Sequence, residues 1–308
     1  MEIVSPGTYI INHPGVCVQH TDVLLLVVIN SVFAHLDRRT VIRDTWSRKK
    51  NYHNSFVHVL FFLTKSENQH VQESIERENE LYRDIVQYSN SITDHYNLTL
   101  KTTLAGEWSN KFCPDAKYVL VSDDNIVLDV FKILPYLREH MKSDVRSENI
   151  ALCHYRSSGK EVMPINNLIQ LDKYRNFCSN EAYVASPKVL DQLYLTLRLN
   201  NFVNQDYLWL SDLAKASGIK YSDTSQHFAG ARTKPTVLKS FMSMNYMSST
   251  IMIGIVADTF QGEQKELFLS SEPVIKNSLT FFSSSSYSHF ICWVNFLLRL
   301  EPFSIQLF

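Results

Sequence analysis

Short, continuously apolar runs alternate along this chain with charged segments whose apolar residues fall at helical spacing. Residues 23–29 (VLLLVVI) are apolar at every position and rich in β-branched side chains. A run this short, without polar alternation, predicts a strand buried on both faces, as in parallel sheets. Further strands are predicted over 56–63, 84–87, 118–121 and 149–153. Between them, the basic segment 37–50 carries Val41, Ile42, Thr45 and Trp46 at helical spacing. Segment 67–81 places Val71, Ile75 and Leu81 on one face of a charged, solvent-facing helix, and 98–108 and 130–141 also read as helices.

Strands alternating with helices over the first 150 residues predict an α/β fold with a mainly parallel central sheet flanked by helices. In such sheets ligands bind beyond the carboxyl ends of the strands. Ser122-Asp-Asp-Asn125 follows strand 118–121 at such an end. Past residue 235 the pattern degrades into a Met- and Ser-rich stretch, a four-serine tract at 283–286 and an apolar end. The expected organisation is an N-terminal segment (1–20), an α/β domain (21–235) and a divergent or poorly ordered tail (236–308).

Composition narrows the function classes. With 30 Lys plus Arg against 31 Asp plus Glu in 308 residues, the chain lacks the basic excess of a nucleic-acid binder. Five widely spaced cysteines form no C-x-x-C pair, which argues against a paired-cysteine zinc site. No apolar run approaches the ~20 residues needed to span a bilayer, and the first fifteen residues lack the features of an export signal. Asn97-Leu98-Thr99 is a glycosylation sequon, a short pattern that also arises by chance.

The acidic cluster at 123–125 carries the first candidate chemistry. Short oxygen ligands after a strand can hold a hard divalent ion against a diphosphate. The same three residues also suit a polar turn that caps the next helix.

Arg39-Thr-Val-Ile-Arg43-Asp-Thr-Trp46 resembles the R-x-x-I-R-x-T-W motif of the β1,3-galactosyltransferase family, glycosyltransferase family 31. Asn97-Leu-Thr-Leu-Lys101-Thr102, Trp108, Cys113, Lys117-Tyr-Val-Leu-Val121 and the 122–125 cluster follow in the family's order. Phe177-Cys178-Ser179 and Tyr183-Val-Ala-Ser186 resemble its Y-C-S-G-x-G-Y-V-x-S segment, and Gln205-Asp206 stands where it has Glu-Asp. The resemblance covers about residues 9–220.

This resemblance implies a GT-A nucleotide-sugar-binding fold, a UDP-sugar donor, a glycan acceptor and a Mn²⁺ ion. The implied reaction is inverting transfer of galactose or N-acetylglucosamine in a β1,3 linkage. Asp206 would be the general base, Arg39, Arg43, Lys101, Asp123 and Asp124 would meet the donor, and Asp123, Asn125 and His227 would ligate the metal. Trp46 is expected to pack in the core, and Arg38, Arg48, Lys49 and Lys50 to form a solvated basic face. The family's cysteines also imply a Cys17–Cys113 bridge. Relatives are Golgi type II membrane proteins acting in the lumen, so the implied location is the Golgi, with membrane attachment through an anchor that this chain lacks and a truncated form expected.

The chain makes three departures from the family. Asn125 stands in place of the last acid of the Asp-x-Asp motif and brings no negative charge to a metal. Gln205 replaces another acid, and Asn180-Glu181 replace glycines. They define the alternative expectation, a catalytically inactive relative that binds a glycan or a partner.

Overall fold

The computed structural model describes residues 9–18, 23–48, 51–52, 55–89, 98–142, 150–157, 176–200, 213, 215–224, 228–230 and 242–244. Twelve described strands are β1 (Tyr9–Ile11), β2 (Val23–Asn30), β3 (Asn51–Tyr52), β4 (Ser55–Thr64), β5 (Ile85–Tyr88), β6 (Tyr118–Asp123), β7 (Ile126–Leu128), β8 (Ile150–Ser157), β9 (Asn176–Ala185), β10 (Lys220–Asp223), β11 (Phe228–Gly230) and β12 (Met242–Met244). Five described helices accompany them: α1 (Leu36–Asp44), α2 (Gln69–Tyr82), α3 (Leu98–Phe112), α4 (Val130–Lys142) and α5 (Pro187–Asn200).

The main sheet runs β1-β5-β4-β2-β6-β9-β8-β10, with β3 on β4. β5, β4, β2 and β6 are parallel, while β9 runs antiparallel between β6 and β8. This is the mixed, mainly parallel α/β sheet with flanking helices that the apolar runs predict. Every residue of β2 is buried, as its unbroken apolar sequence requires. Because side chains alternate across a strand, Leu25, Val27 and Ile29 join Ile42, Trp46, Ile75 and Ile133 on one face. Leu26 and Val28 meet Leu104, Trp108 and Leu190 on the other. Helices α1, α2 and α4 therefore cover one side, and α3 and α5 the other.

α1 ends earlier than the 37–50 spacing implies. Thr45 leaves helical geometry (φ −113°, ψ −107°), and Ser47 bonds back to the Ile42 carbonyl through its N–H and hydroxyl. Trp46 is nonetheless buried, since the chain beyond the helix folds it into the core. On the opposite side, α3 and α5 approach closely at Gly106, where an added Cβ would lie 3.0 Å from the Leu190 carbonyl oxygen.

Cys17 and Cys113 form a disulfide with a Cα–Cα distance of 5.3 Å across 96 residues, as the resemblance implies. On a chain-entropy account, a loop of that length contributes about 5 kcal/mol. Cys153 is disulfide-bonded as well.

β7 pairs with β12 and β12 with β11, forming a second, three-stranded sheet. Its strand Met242–Met244 comes from the segment beyond residue 235. β7 bears on one of the two readings of the acidic cluster, the helix cap. The turn at Asp124-Asn125 joins two strands and caps no helix; Asp129 does the capping, its Oδ1 accepting the Lys132 N–H at 3.1 Å.

Candidate active site

The carboxyl ends of β2 and β6 lie side by side, with Asn30 paired in register with Asp123. Parallel strands place these ends on one edge of the sheet, and each chain must turn away there. β2 leaves through Ser31 into a 3₁₀ turn (Phe33–His35) and α1, while β6 leaves through Asp124 and Asn125 into β7. Two polar turns consequently meet at the edge where α/β sheets bind ligands.

Asp124 is the knot between them. Only 4% exposed, its Oδ2 accepts the Ser31 hydroxyl at 2.8 Å and the His35 ring at 2.8 Å. Its Oδ1 accepts Arg38 Nη1 at 2.9 Å. An ionised carboxylate only accepts, so His35 Nδ1 carries the proton in this pair. Burial alone would raise the Asp124 pKa, but hydrogen bonds from His35, Ser31 and Arg38, with the charge of His35, hold it below the usual carboxylate range. Both oxygens face protein donors. Asp124 thus anchors the turn to Ser31, His35 and Arg38.

Its two neighbours differ. Asp123 ends β6 and Asn125 begins the descent to β7, and both are partly buried. Asn125 Oδ1 is shielded from solvent and has no hydrogen-bond partner among the described residues. An unsatisfied buried acceptor costs about 1–3 kcal/mol, so a ligand hydroxyl or N–H at this position would recover that cost.

The motif arginines lie elsewhere. Arg39 is 1% exposed and all five of its N–H groups serve protein acceptors. Nε and Nη2 grip Glu78 at 2.8 and 2.7 Å, and the rest reach Ser31 Oγ, the Val32 carbonyl and the Phe33 carbonyl. Arg43 forks onto Asp84 with two 2.8 Å bonds, meets Glu78 at 2.8 Å, and stacks over Tyr82 with 4.0 Å to the ring centroid. Buried carboxylates hold both arginines, which bind α1 to α2 and to the start of β5. Burial works against the charge on Arg43, yet Asp84 and Glu78 raise its pKa further above the ordinary value. Glu78 is held low by Arg39 and Arg43 against the opposing effect of its burial.

Of the other expected site residues, Asp206 and His227 lie outside the described residues, as do Gln205 and Asn97. Lys101 lies in the first turn of α3, its side chain outside the described set. The residues that sequence reasoning missed are Ser31, His35 and Arg38. Their signal was positional: a polar break directly after the fully apolar strand 23–29.

The donor set also tests the implied Mn²⁺. A tight site for a hard divalent ion calls for several anionic oxygens. Here Asp124 is committed to Ser31, His35 and Arg38, and Asn125 offers a neutral amide. No group of three His, Cys, Asp or Glu side chains that could hold a metal occurs among the described residues. Of the three implied ligands, Asp123 brings a carboxylate to the turn, Asn125 brings none, and His227 lies outside the described residues.

A mainly parallel sheet with helices on both faces defines the class, an α/β protein. The galactosyltransferase family pattern matches residues 37–225, more than half of the chain, and the chain belongs to that family. It is 29% identical over 227 residues to the Homo sapiens lactosylceramide 1,3-N-acetyl-beta-D-glucosaminyltransferase, covering 70% of this chain and 60% of that protein. It is 26% identical over 195 residues to Mus musculus beta-1,3-galactosyltransferase 1, covering 61% of this chain and 58% of the relative. The chain therefore spans about 60% of the length of these curated relatives. Among solved structures, the apo bifunctional glycosyltransferase WbbM superposes with a TM-score of 0.45 at 9% identity, covering 81% of this chain and 51% of that chain. A likeness that low adds nothing to the topology above.

Proposed function

We propose that this chain is an inverting hexosyltransferase that moves galactose or N-acetylglucosamine from a UDP-sugar to an acceptor glycan in a β1,3 linkage. One observation carries the reading: the turn at the carboxyl ends of β2 and β6 carries Asp123 and Asn125, whose Oδ1 has no hydrogen-bond partner among the described residues. Family membership gives this turn its chemical meaning, since it stands where relatives carry their Asp-x-Asp motif.

In this reading Asp206 takes the proton from the acceptor hydroxyl as its oxygen attacks the anomeric carbon. The new C–O bond forms on the face opposite the leaving group, and UDP departs with the electrons of the broken bond. A carboxylate with an ordinary pKa near 4 is ionised at neutral pH and suits that role. Asp123 and Asn125 orient the donor through hydrogen bonds. Bonded Cys17, Cys113 and Cys153 support an oxidising compartment, and the Golgi lumen implied by the family is the proposed location. No described helix is long and apolar enough to cross a membrane.

The neutral Asn125 and the committed Asp124 favour a second reading, a relative that binds UDP-sugars or glycans without turning them over. A panel of UDP-sugars, each assayed with and without Mn²⁺ for transfer and for hydrolysis, separates the two. Turnover abolished by Asp206→Asn supports the transferase. Binding with no turnover for any donor supports the second reading, and no binding of any nucleotide sinks both.

A further inference from the structure

The turn at the end of β6 lacks the charge a divalent ion would bring, yet a UDP-sugar presents a diphosphate to it. Something must offset that charge. Resting on the reading above, the structure points to Arg38 as the group that does so: we propose that it binds the donor diphosphate, and that donor binding is metal-independent.

Three observations carry this. First, Arg38 stands at the correct edge. It lies in the first turn of α1, seven residues beyond the Ser31 exit of β2, and its guanidinium is tied to Asp124, the residue between Asp123 and Asn125. Second, Arg38 retains donors at this edge, where the other described arginines do not. Arg39 and Arg43 are 1% and 8% exposed at the side chain, whereas Arg38 is 22% exposed. Its single described bond runs from Nη1 to Asp124 Oδ1, so the Nε and Nη2 edge has no acceptor among the described residues. That edge is the planar fork that matches two phosphate oxygens. Third, Asp124 does not use up the charge of Arg38. Its carboxylate also accepts from His35 and Ser31, so three donors share one anion.

Asp124 is then the device that aims the fork. Replacing the last acid of the motif by Asn125 removes the reason for a cation to sit in the turn, and it removes a negative charge that would repel the diphosphate of a metal-free donor. The substitution at 125 and the placement of Arg38 act in the same direction.

Calorimetry with the full chain tests the proposal, using UDP, UMP and uridine as probes, each with EDTA and with Mn²⁺. The expected result is UDP binding of similar strength in both conditions. Arg38→Met should weaken UDP binding about tenfold to a hundredfold, UMP less, and uridine hardly at all. Arg38→Lys should recover part of the loss, because it restores charge without the fork. A loss equal for UDP and uridine would mean that Arg38 only props the turn, and would overturn the proposal. So would UDP binding that requires Mn²⁺ and ignores Arg38→Met, an outcome that leaves the transferase reading standing. Absence of binding by any probe in either condition defeats both, provided the far-ultraviolet circular dichroism and unfolding midpoint of the chain show it folded.

Discussion

Arg38 and Arg39 are adjacent in the chain and opposite in circumstance. Arg39 is enclosed, with every N–H paired to protein and Glu78 gripped in a two-pronged bond. Arg38 holds one oxygen of Asp124 at the sheet edge and keeps a face toward solvent. The buried network of Arg39, Arg43, Glu78 and Asp84 is framework, and the cluster around Asp124 is rim. The lesson is that a charged motif can be a family signature and still be framework. Here the motif arginines hold helices together, and Arg38 beside them is the cation proposed to meet the donor.

The comparison breaks most visibly if Arg39 is replaced. Arg39→Met leaves the carbonyls of Val32 and Phe33 without their donor and halves the charge facing Glu78. Breaking one partner of a buried pair costs about 3–5 kcal/mol, to be read by urea unfolding. A variant of unchanged stability that lost UDP binding would exchange the roles assigned to the two arginines.

The framework also predicts a pH signature. The Glu78 pKa is depressed in the folded chain by Arg39 and Arg43, which outweigh its burial. A depressed carboxyl stabilises the fold above its unfolded pKa, and that contribution is lost as pH falls through the folded value. Wild type should therefore exceed Glu78→Gln by roughly 1–3 kcal/mol at neutral pH, and the two should converge in acid. Parallel stability curves for the two proteins would show that Glu78 contributes no linkage.

On the rim, Asn125→Asp restores an acid beside Asp123. Apparent Mn²⁺ affinity, followed by titration of the full chain, should rise about tenfold. An unchanged affinity would mean that the turn is misaligned for an ion whatever its charge. The smallest effect belongs to Ser31, which both regions share: it accepts from Arg39 and donates to Asp124. Ser31→Ala should cost about 1 kcal/mol in the same urea assay and should weaken UDP binding in step if the two regions are coupled through it.

Much of the framework was legible in the sequence. The apolar runs at 23–29 and 56–63 became β2 and β4, and the segments at 67–81 and 130–141 became α2 and α4 with ends shifted by one or two residues. Local pattern suffices there, because a strand buried on both faces has nowhere to place a polar side chain. It failed for β9, whose sequence NFCSNEAYVA mixes polar and apolar residues. Pairing with β6 and β8 makes that segment a strand, and both partners are distant in the chain. The same reason hid the roles of the arginines. Glu78 lies 39 residues from Arg39, and Asp84 lies 41 from Arg43, separations that no local motif encodes. Asp124 was legible as part of the site but not as its anchor, since Ser31, His35 and Arg38 come from 86 or more residues earlier.

The bridge between Cys17 and Cys113 has a consequence for how this protein breaks. A protease that cuts once anywhere between those two positions produces two polypeptides that stay joined through sulfur. On a gel without reductant such a nicked molecule migrates as one species, and it separates only after thiol treatment. Damage to the surface loops of this half would therefore pass unnoticed until the sample is reduced.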